Sequence, residues 1–442
     1  MNILLIGGGA RENIIGEKIV ESGGNLYTVM GNLNPGLKNL SKEYLIEKET
    51  NIDKILNWEP VKNRKVDIAI VGPEAPLELG IVEKLDTLGI ETASPNSVAA
   101  EIETNKKFMR EIMEKYNIPG NLRYYYFTEF ASVKRFIKNI DFPFVIKPVG
   151  LTGGKGVWVQ GDHFQTKEEA IDYCERIIKE NIGGGKGVLI EEKIEGEEYS
   201  LQAFTDGKNL IPMPLVQDFK RAYEGDKGPN TGGMGSYSMS NHLLPFITID
   251  DYNFSLNILQ QIIDALRKEG RYYKGVIYGQ FMITKTGPKI VEINARFGDP
   301  EAMNVLSLLK GNFVDIISDM ARGRLRQNFY FEHLSTLVKY IVPIGYGTNP
   351  KENQEINIDI NKIRETGAKV YFGSVNAVDN KILTTHSRSI AIVTKAEDLS
   401  SAYTISEEAL RYVSGNIYVR HDIGHPELIE RKINRMRSLR SM

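Results

Sequence analysis

Over the first hundred residues, short apolar runs alternate with longer amphipathic stretches. Residues 2–6 form an apolar run, a glycine turn follows, and a helix-like segment continues to about Ser22. Residues 26–30 and 66–71 repeat the apolar pattern. Buried-type strands alternating with helical segments predict a doubly wound parallel sheet, an α/β architecture in which ligands sit beyond the carboxyl ends of the strands. Three polar or glycine-rich loops fall at such ends, at residues 7–13, 31–36 and 72–76.

The pattern then changes. A helix is predicted from Thr104 to about Tyr116, followed by a compact α+β segment over 121–193 with strands at 144–147, 157–160 and 188–191 and a helix at 167–181. Strands at 199–205 and 209–212 precede a long polar stretch whose glycine-dense part, 227–235, is too long for a simple turn. A helix over about 250–268 leads to two strands, 275–283 and 290–293. If a three-residue loop joins Thr284 to Pro288, Gln280 lies opposite Glu292. Beyond 330, strands at 336–344, 368–375 and 389–394 and a helix at 398–413 predict a C-terminal α+β domain. The expected division is 1–103, 104–330 and 331–442, and the basic tail from Arg431 reads as a solvated helix end or a frayed terminus.

At 442 residues with 41% apolar and 25% charged residues, the chain has the composition of a soluble globular protein of two to four domains. A net charge of −2 supplies no field for nucleic acid or an anionic membrane, and neither is expected as a partner. Cys174, the single cysteine, excludes an internal disulfide framework. The first residues lack a basic start, and no apolar stretch approaches 20 residues, so a cytoplasmic location is expected, as a monomer or weak homodimer.

Several stretches carry candidate chemistry. Gly7 and Gly9 fit the start of a dinucleotide fingerprint, but Glu12 occupies its third glycine position and no acid ends the second strand, so a phosphorylated small substrate fits better than NAD; a plain tight turn is the alternative. The 150–156 loop is no Walker A motif: it is one residue short, and a strand follows it. It reads either as a flexible hairpin or as a cover over phosphates through its backbone N–H groups. Lys147, inside an apolar strand, needs a partner, and a nucleotide phosphate would serve. The acidic run at 191–198 reads as a solvated turn. Glu292 and Asn294 share one strand face and are oxygen ligands of the kind Mg²⁺ accepts, unless they are merely a polar hairpin edge.

Together these motifs resemble the ATP-grasp ligases, and within them the phosphoribosylamine–glycine ligases (glycinamide ribonucleotide synthetases). The resemblance runs the length of the chain: the 7–12 loop, 71–77, Lys106, Ile146-Lys147, 153–157, 190–192, 228–235 and 292–301. It implies a pre-ATP-grasp N-terminal domain, an ATP-grasp domain with a mobile flap over about 121–193, and a small C-terminal domain. It implies ATP contacts from Lys106, Lys147, Gly153, Gly154, Lys155, Gly156, Glu191, Glu192 and Glu198, and Mg²⁺ or Mn²⁺ at Gln280, Glu292 and Asn294. Phosphoribosylamine, glycine and its acyl phosphate would meet Gly9, Arg11, Glu12, Asn34, Gly36, Pro73, Glu74, Pro76, Lys220, Thr231, Gly232, Gly233, Arg296, Gly298 and Asp299, with Arg296, Lys147 and Asp218 carrying catalysis.

The implied reaction is ATP-dependent joining of glycine to phosphoribosylamine through glycyl phosphate, a step of purine synthesis. Another ATP-grasp carboxylate–amine ligase or carboxylase, or a non-catalytic nucleotide sensor, is the alternative. Asn13, Phe219 and His386-Ser387 depart from the family pattern, where His, His and Gly-Gly are usual.

Overall fold

The computed structural model describes residues 1–441 apart from Gly154, Lys155, Lys186 and Asn380. The N-terminal part is a five-stranded sheet in the order Ser41–Ile46, Asn25–Met30, Asn2–Ile6, Ile68–Val71, Glu91–Thr92, parallel throughout. Ile3 to Ile6 and Ile68 to Val71 are buried, as strands covered on both faces must be. The three expected loops gather at the carboxyl ends. Asn34 caps the helix Pro35–Leu40 by accepting from Gly36 N–H and Leu37 N–H, and its amide donates to Gly8 O at 2.9 Å and Phe372 O at 2.6 Å.

The expected 104–116 helix starts at Lys106. Asn105 is extended and caps it, its side chain accepting from Phe108 N–H, so Ser97–Thr104 and Lys106–Lys115 are separate helices. The next segment is an antiparallel sheet in the order Tyr124–Phe127, Val188–Glu192, Phe144–Pro148, Trp158–Val159, with the helices Phe130–Asn139 and Lys167–Lys179. It has its own core, in which Val133, Ile137, Phe144, Ile146, Cys174, Ile177 and Ile190 pack together.

The central sheet runs Leu210–Pro212, Glu197–Thr205, Gly275–Thr284, Gly287–Asn294, all antiparallel. Gln280 does face Glu292, for a reason other than the expected one. The turn is tighter than three residues, because Thr284 pairs with Gly287 and Phe281 with Ile290. An extra residue at Val291 then restores the register, so that Gln280 pairs with Glu292 and Tyr278 with Asn294. Such a bulge re-aims the side chains that follow it.

A further sheet draws strands from both sides of residue 330. Gln217–Asp218 pairs with Gly235–Ser238, which pairs with Ser335–Pro343; Ile390–Ala396 and Lys369–Phe372 complete the path, and Ile417–Tyr418 adds to the end of Ser335–Pro343. The polar stretch before it is partly ordered as a hairpin of Arg221–Tyr223 with Lys227–Asn230. The basic tail is docked, contrary to expectation. It forms the helix Pro426–Ser441, and Lys432, Arg435 and Arg440 pair with Glu197, Asp226 and Asp251. Among the described residues no helix is long and apolar enough to cross a membrane.

The two glycine turns of the flap segment touch backbone to backbone, since a Cβ on Gly150 would lie 1.9 Å from Gly183 O and 3.3 Å from Gly185 N. No side-chain rotation relieves that clash. Gly150→Ala is therefore expected to cost about 1–3 kcal/mol, localised to the flap because its core is separate. Hydrogen exchange should accelerate within 121–193 and not in the parallel sheet; unchanged flap exchange would contradict the packing described.

Candidate functional site

The helix Lys106–Lys115 presents Lys106 and Arg110 one turn apart, on one face. Arg110 is wholly buried. Its Nε donates to Glu191 Oε1 at 2.7 Å, one terminal nitrogen donates to Asn121 Oδ1 and Ile290 O, and the other donates to Val291 O at 2.9 Å. The guanidinium thus holds both carbonyls at the bulge. Lys147 Nζ lies 2.8 Å from Glu191 Oε2 and donates to Val291 O at 3.3 Å. Burial alone would raise the Glu191 pKa, but the Arg110 and Lys147 charges prevail and hold it at about 2.

Lys106 Nζ donates to Gly150 O at 2.7 Å, and its backbone N–H donates to Val149 O. Burial lowers its pKa; the Glu292 charge opposes that and the Lys147 charge adds to it. Gly156 O accepts from Tyr173 OH, while Gly154 and Lys155 lie outside the described residues. Glu192 faces the flap edge, accepting from Arg123 N–H.

Across the central sheet lies an acidic cluster. Lys220 Nζ sits 2.7 Å from Asp218 Oδ2 and 2.9 Å from Glu198 Oε2. Burial would lower its pKa, but these two carboxylates raise it well above the usual lysine range. Gln280 Nε2 donates to Glu198 at 3.0 Å, and Gln280 Oε1 accepts from Tyr278 OH. That hydroxyl also lies 2.6 Å from Glu301 Oε1, whose pKa is pushed up to about 7 by burial and by Asp218.

Arg296 is braced by Glu74 at 3.2 Å and Glu103 at 3.1 Å, and it donates to Asn294 Oδ1 at 3.0 Å. Glu103 also accepts Ala295 N–H at 2.6 Å; burial pushes its pKa up to about 7 against the pull of Arg296. In the N-terminal loops, Glu12 accepts from Gly9 N–H and Arg11 Nε, and Arg11 donates to Phe297 O. A Cβ on Gly72 would lie 1.9 Å from Glu12 Oε1, so a larger residue there would displace the carboxylate that Gly9 and Arg11 hold. Arg388 closes the far side, donating to Gly232 O, Gly233 O, Asp299 O and the Asp299 carboxylate, while Tyr340 OH donates to Asp299 Oδ1 and Gly298 N–H donates to Gln202.

The loops bearing Gly9, Glu74, Arg296, Asp299 and Gly232 therefore converge. Glu74 and its neighbours Pro73 and Pro76 sit around the short helix Ala75–Glu78. Two expected roles meet a different arrangement. Asn34 is fully enclosed, with both side-chain atoms spent on backbone groups, and Gly36 packs against Asn13, whose Oδ1 accepts Phe372 N–H. Gln280 turns its N–H groups, not a free oxygen, toward the acids. Arg110, Glu103 and Tyr278 escaped the sequence reading, and Glu301 stood in it only as the end of the 292–301 motif, without a role. An arginine one turn from Lys106 on an apolar helix face was the available signal for Arg110.

For a divalent ion, Glu292 fits best, since among the described residues the one hydrogen bond to its carboxylate is a 3.5 Å contact from Asn294. Among the described residues no three His, Cys, Asp or Glu gather into a metal-holding group. A single carboxylate beside an amide suits Mg²⁺, which keeps waters and substrate phosphates as its other ligands.

Comparison with known proteins gives a consistent result. Residues 1–103, 104–302 and 336–426 match the N, ATP-grasp (A) and C domains of phosphoribosylglycinamide synthetase. The chain is 48% identical over 439 residues to a phosphoribosylamine–glycine ligase of Pyrococcus abyssi, covering 99% of this chain and 98% of the relative. A Methanosphaera stadtmanae protein of the same name is 45% identical, with 100% of each chain covered. The crystal structure of the Thermotoga maritima phosphoribosylamine–glycine ligase superposes with a TM-score of 0.81 at 27% identity, covering 96% of this chain and all of that one. At 16% identity, a Hydrogenobacter thermophilus biotin carboxylase domain shares the fold with a TM-score of 0.72, covering 99% of this chain and 93% of that one.

Removing the Arg110 charge leaves Glu191 Oε1 without its cation, with Lys147 alone on Oε2. Arg110→Met is expected to destabilise by about 3–5 kcal/mol at neutral pH, read by chemical denaturation. Because the Glu191 pKa is depressed, its contribution is present above about 4.5 and is lost as pH falls toward 2, so the variant should also show a shallower acid-side stability slope in that window. A loss under about 0.5 kcal/mol would contradict the buried pairing.

Proposed function

The chain belongs to the phosphoribosylglycinamide synthetase family, and on that premise we propose how its residues divide the work. It is an ATP-grasp carboxylate–amine ligase that joins glycine to 5-phosphoribosylamine, giving glycinamide ribonucleotide, ADP and phosphate in purine biosynthesis. ATP and a divalent metal ion belong to this fold's chemistry, as the MgADP complex of the H. thermophilus neighbour illustrates.

A carboxylate is a poor acyl donor because its leaving group would be oxide. The glycine carboxylate oxygen attacks the γ-phosphorus of ATP, ADP leaves, and the resulting glycyl phosphate has a good leaving group. The amine nitrogen of phosphoribosylamine then attacks the acyl carbon, phosphate leaves, and the nitrogen gives up one proton. No protein nucleophile is required, so catalysis reduces to positioning and charge.

Lys106 and Lys147 supply positive charge to the phosphates, and Glu191 keeps Lys147 aimed. The 150–156 loop, tied to Lys106 through Gly150 O, closes over them and excludes water from the acyl phosphate. Glu198 and Glu192 face the nucleoside side. Glu292, with Asn294 beside it, would hold Mg²⁺ or Mn²⁺, which when bound neutralises phosphate charge. Gln280 braces Glu198 and Asp218 so that Lys220 stays charged at the seam between nucleotide and glycine. Arg296, steadied by Glu103, and the loops carrying Gly9, Arg11, Glu74, Thr231–Gly233, Gly298 and Asp299 receive glycine and phosphoribosylamine.

The observation that carries this reading is the bulge: Lys147 donates to Val291 O, one residue before Glu292, so the phosphate-binding charge and the metal-binding acid share one rigid support. The division of the chain at 103/104 and 330/331 is part of the same proposal, with the second boundary crossed by the sheet that pairs Gly235–Ser238 with Ser335–Pro343.

Glu292→Ala is expected to abolish glycine-dependent ADP formation, a loss of at least about 10²-fold, with an unchanged melting profile. Turnover near that of the wild type would remove Glu292 from the metal role.

A further inference from the structure

Asp218, Lys220 and residues 231–233 come to the site on the strand Gln217–Asp218 and the hairpin that follows it. The base of the hairpin is tied internally, since the N–H and hydroxyl of Thr231 both donate to Lys220 O at 2.8 Å. The tip is held differently. The chain turns through Glu224, Gly225 and Asp226, the last at φ +57°. Gly225 N–H donates to Asp422 Oδ2 at 2.8 Å, Glu224 accepts His421 N–H, Arg420 lies 3.0 Å from Asp226 Oδ1, and Lys432 lies 2.7 Å from Asp226 Oδ2. Arg420 also donates to Arg221 O at 3.0 Å. Polar grip on the tip thus comes from the C-terminal segment.

The same two cations reach further. Phe219, between Asp218 and Lys220 in sequence, is 2% exposed, and its ring centroid lies 5.4 Å from the Arg420 guanidinium carbon and 5.6 Å from Lys432 Nζ. Lys432 pairs with Glu197 at 3.2 Å, Arg435 does so at 3.1 Å, and Glu197 directly precedes Glu198. Arg420 also pairs with its near neighbour Asp422, whose Oδ2 accepts Gly225 N–H. Every other point the two cations hold is one residue from a member of the Asp218–Lys220–Glu198 cluster, or is the tip of the hairpin between that cluster and Thr231. Arg420 is wholly buried and the Lys432 side chain is 16% exposed, so these are desolvated pairs with fixed partners. A phenylalanine at 219 suits the position, because its face attracts both cations without offering them a competing proton.

We propose that Arg420 and Lys432 are positioning residues for the ligation: by gripping the tip of the 221–230 hairpin and flanking Phe219, they set the glycine and phosphoribosylamine side of the site at its working distance from the nucleotide side. This rests on the assignment of residues 218–235 to those substrates. The tail helix is then part of the machinery, acting through Asp218, Lys220 and the 231–233 loop without touching substrate.

Lys432→Met keeps most of the stem and removes the charge. The expected result is a rise of about tenfold in KM for glycine with unchanged equilibrium binding of ATP, matched by Asp226→Asn and not increased further in the double variant. Hydrogen exchange over 217–235 reads the clamp independently of turnover and should accelerate in Lys432→Met. If that variant does not fold, Asp226→Asn alone tests the same contact from the hairpin. A wild type that forms no ADP with glycine would refute the functional reading, and exchange would still decide the clamp. Unchanged KM and unchanged exchange over 217–235 would overturn the proposal, even with a lowered melting temperature, because that combination marks a purely structural tail.

Discussion

One buried carboxylate fixes the frame on which the rest depends. Glu191 is 1% exposed, and its two oxygens are taken by Arg110 and Lys147. Neither cation stops there, since both reach on to Val291 O at the bulge. The flap strand that carries Glu191, the helix that carries Lys106 and the hairpin that carries Glu292 are thereby locked to one another by charge-assisted hydrogen bonds. A desolvated ion pair contributes little net stability when complete, yet costs several kcal/mol when broken. Such a device specifies geometry more than it adds stability, and geometry is what a reaction without a protein nucleophile needs.

The same logic recurs on the substrate side. Arg296 is set between Glu74 and Glu103, Lys220 between Asp218 and Glu198, and Arg388 against Asp299. Each cation stays charged because its carboxylate partners outweigh the burial that would neutralise it. On the proposed assignment, incoming phosphate and carboxylate groups would meet charges that are already oriented, with little reorganisation left for the chemical step. The N-terminal loops, the central hairpin and the C-terminal loop that bears Arg388 each supply part of this set, so the set exists only where the three regions meet.

Much of this was legible in the sequence. Alternating apolar runs gave the parallel sheet, and the spacing of Glu292 and Asn294 placed them on one face. Lys147 stood out because a lysine in a buried strand requires a partner; that partner is Glu191, which the sequence alone suggested was solvated. Gln280 was placed opposite Glu292 through the wrong turn, since a shorter loop and the Val291 bulge compensate and no local pattern announces a bulge. The docked tail was missed for a related reason: its arginines and lysine look like a solvated face until strands distant in sequence bring Glu197, Asp226 and Asp251 against them. Residue type and period are local quantities, whereas partner identity across a fold is not.

On the proposed mechanism this chain activates the glycine carboxylate by moving a phosphoryl group onto it. Glycine carrying ¹⁸O in both carboxylate oxygens, incubated with the enzyme, ATP and phosphoribosylamine, tests it most directly. Acyl-phosphate formation leaves one labelled oxygen bridging carbon and phosphorus, and its departure with phosphate predicts one ¹⁸O in each inorganic phosphate released. Phosphate free of label, formed together with glycinamide ribonucleotide, would contradict the account.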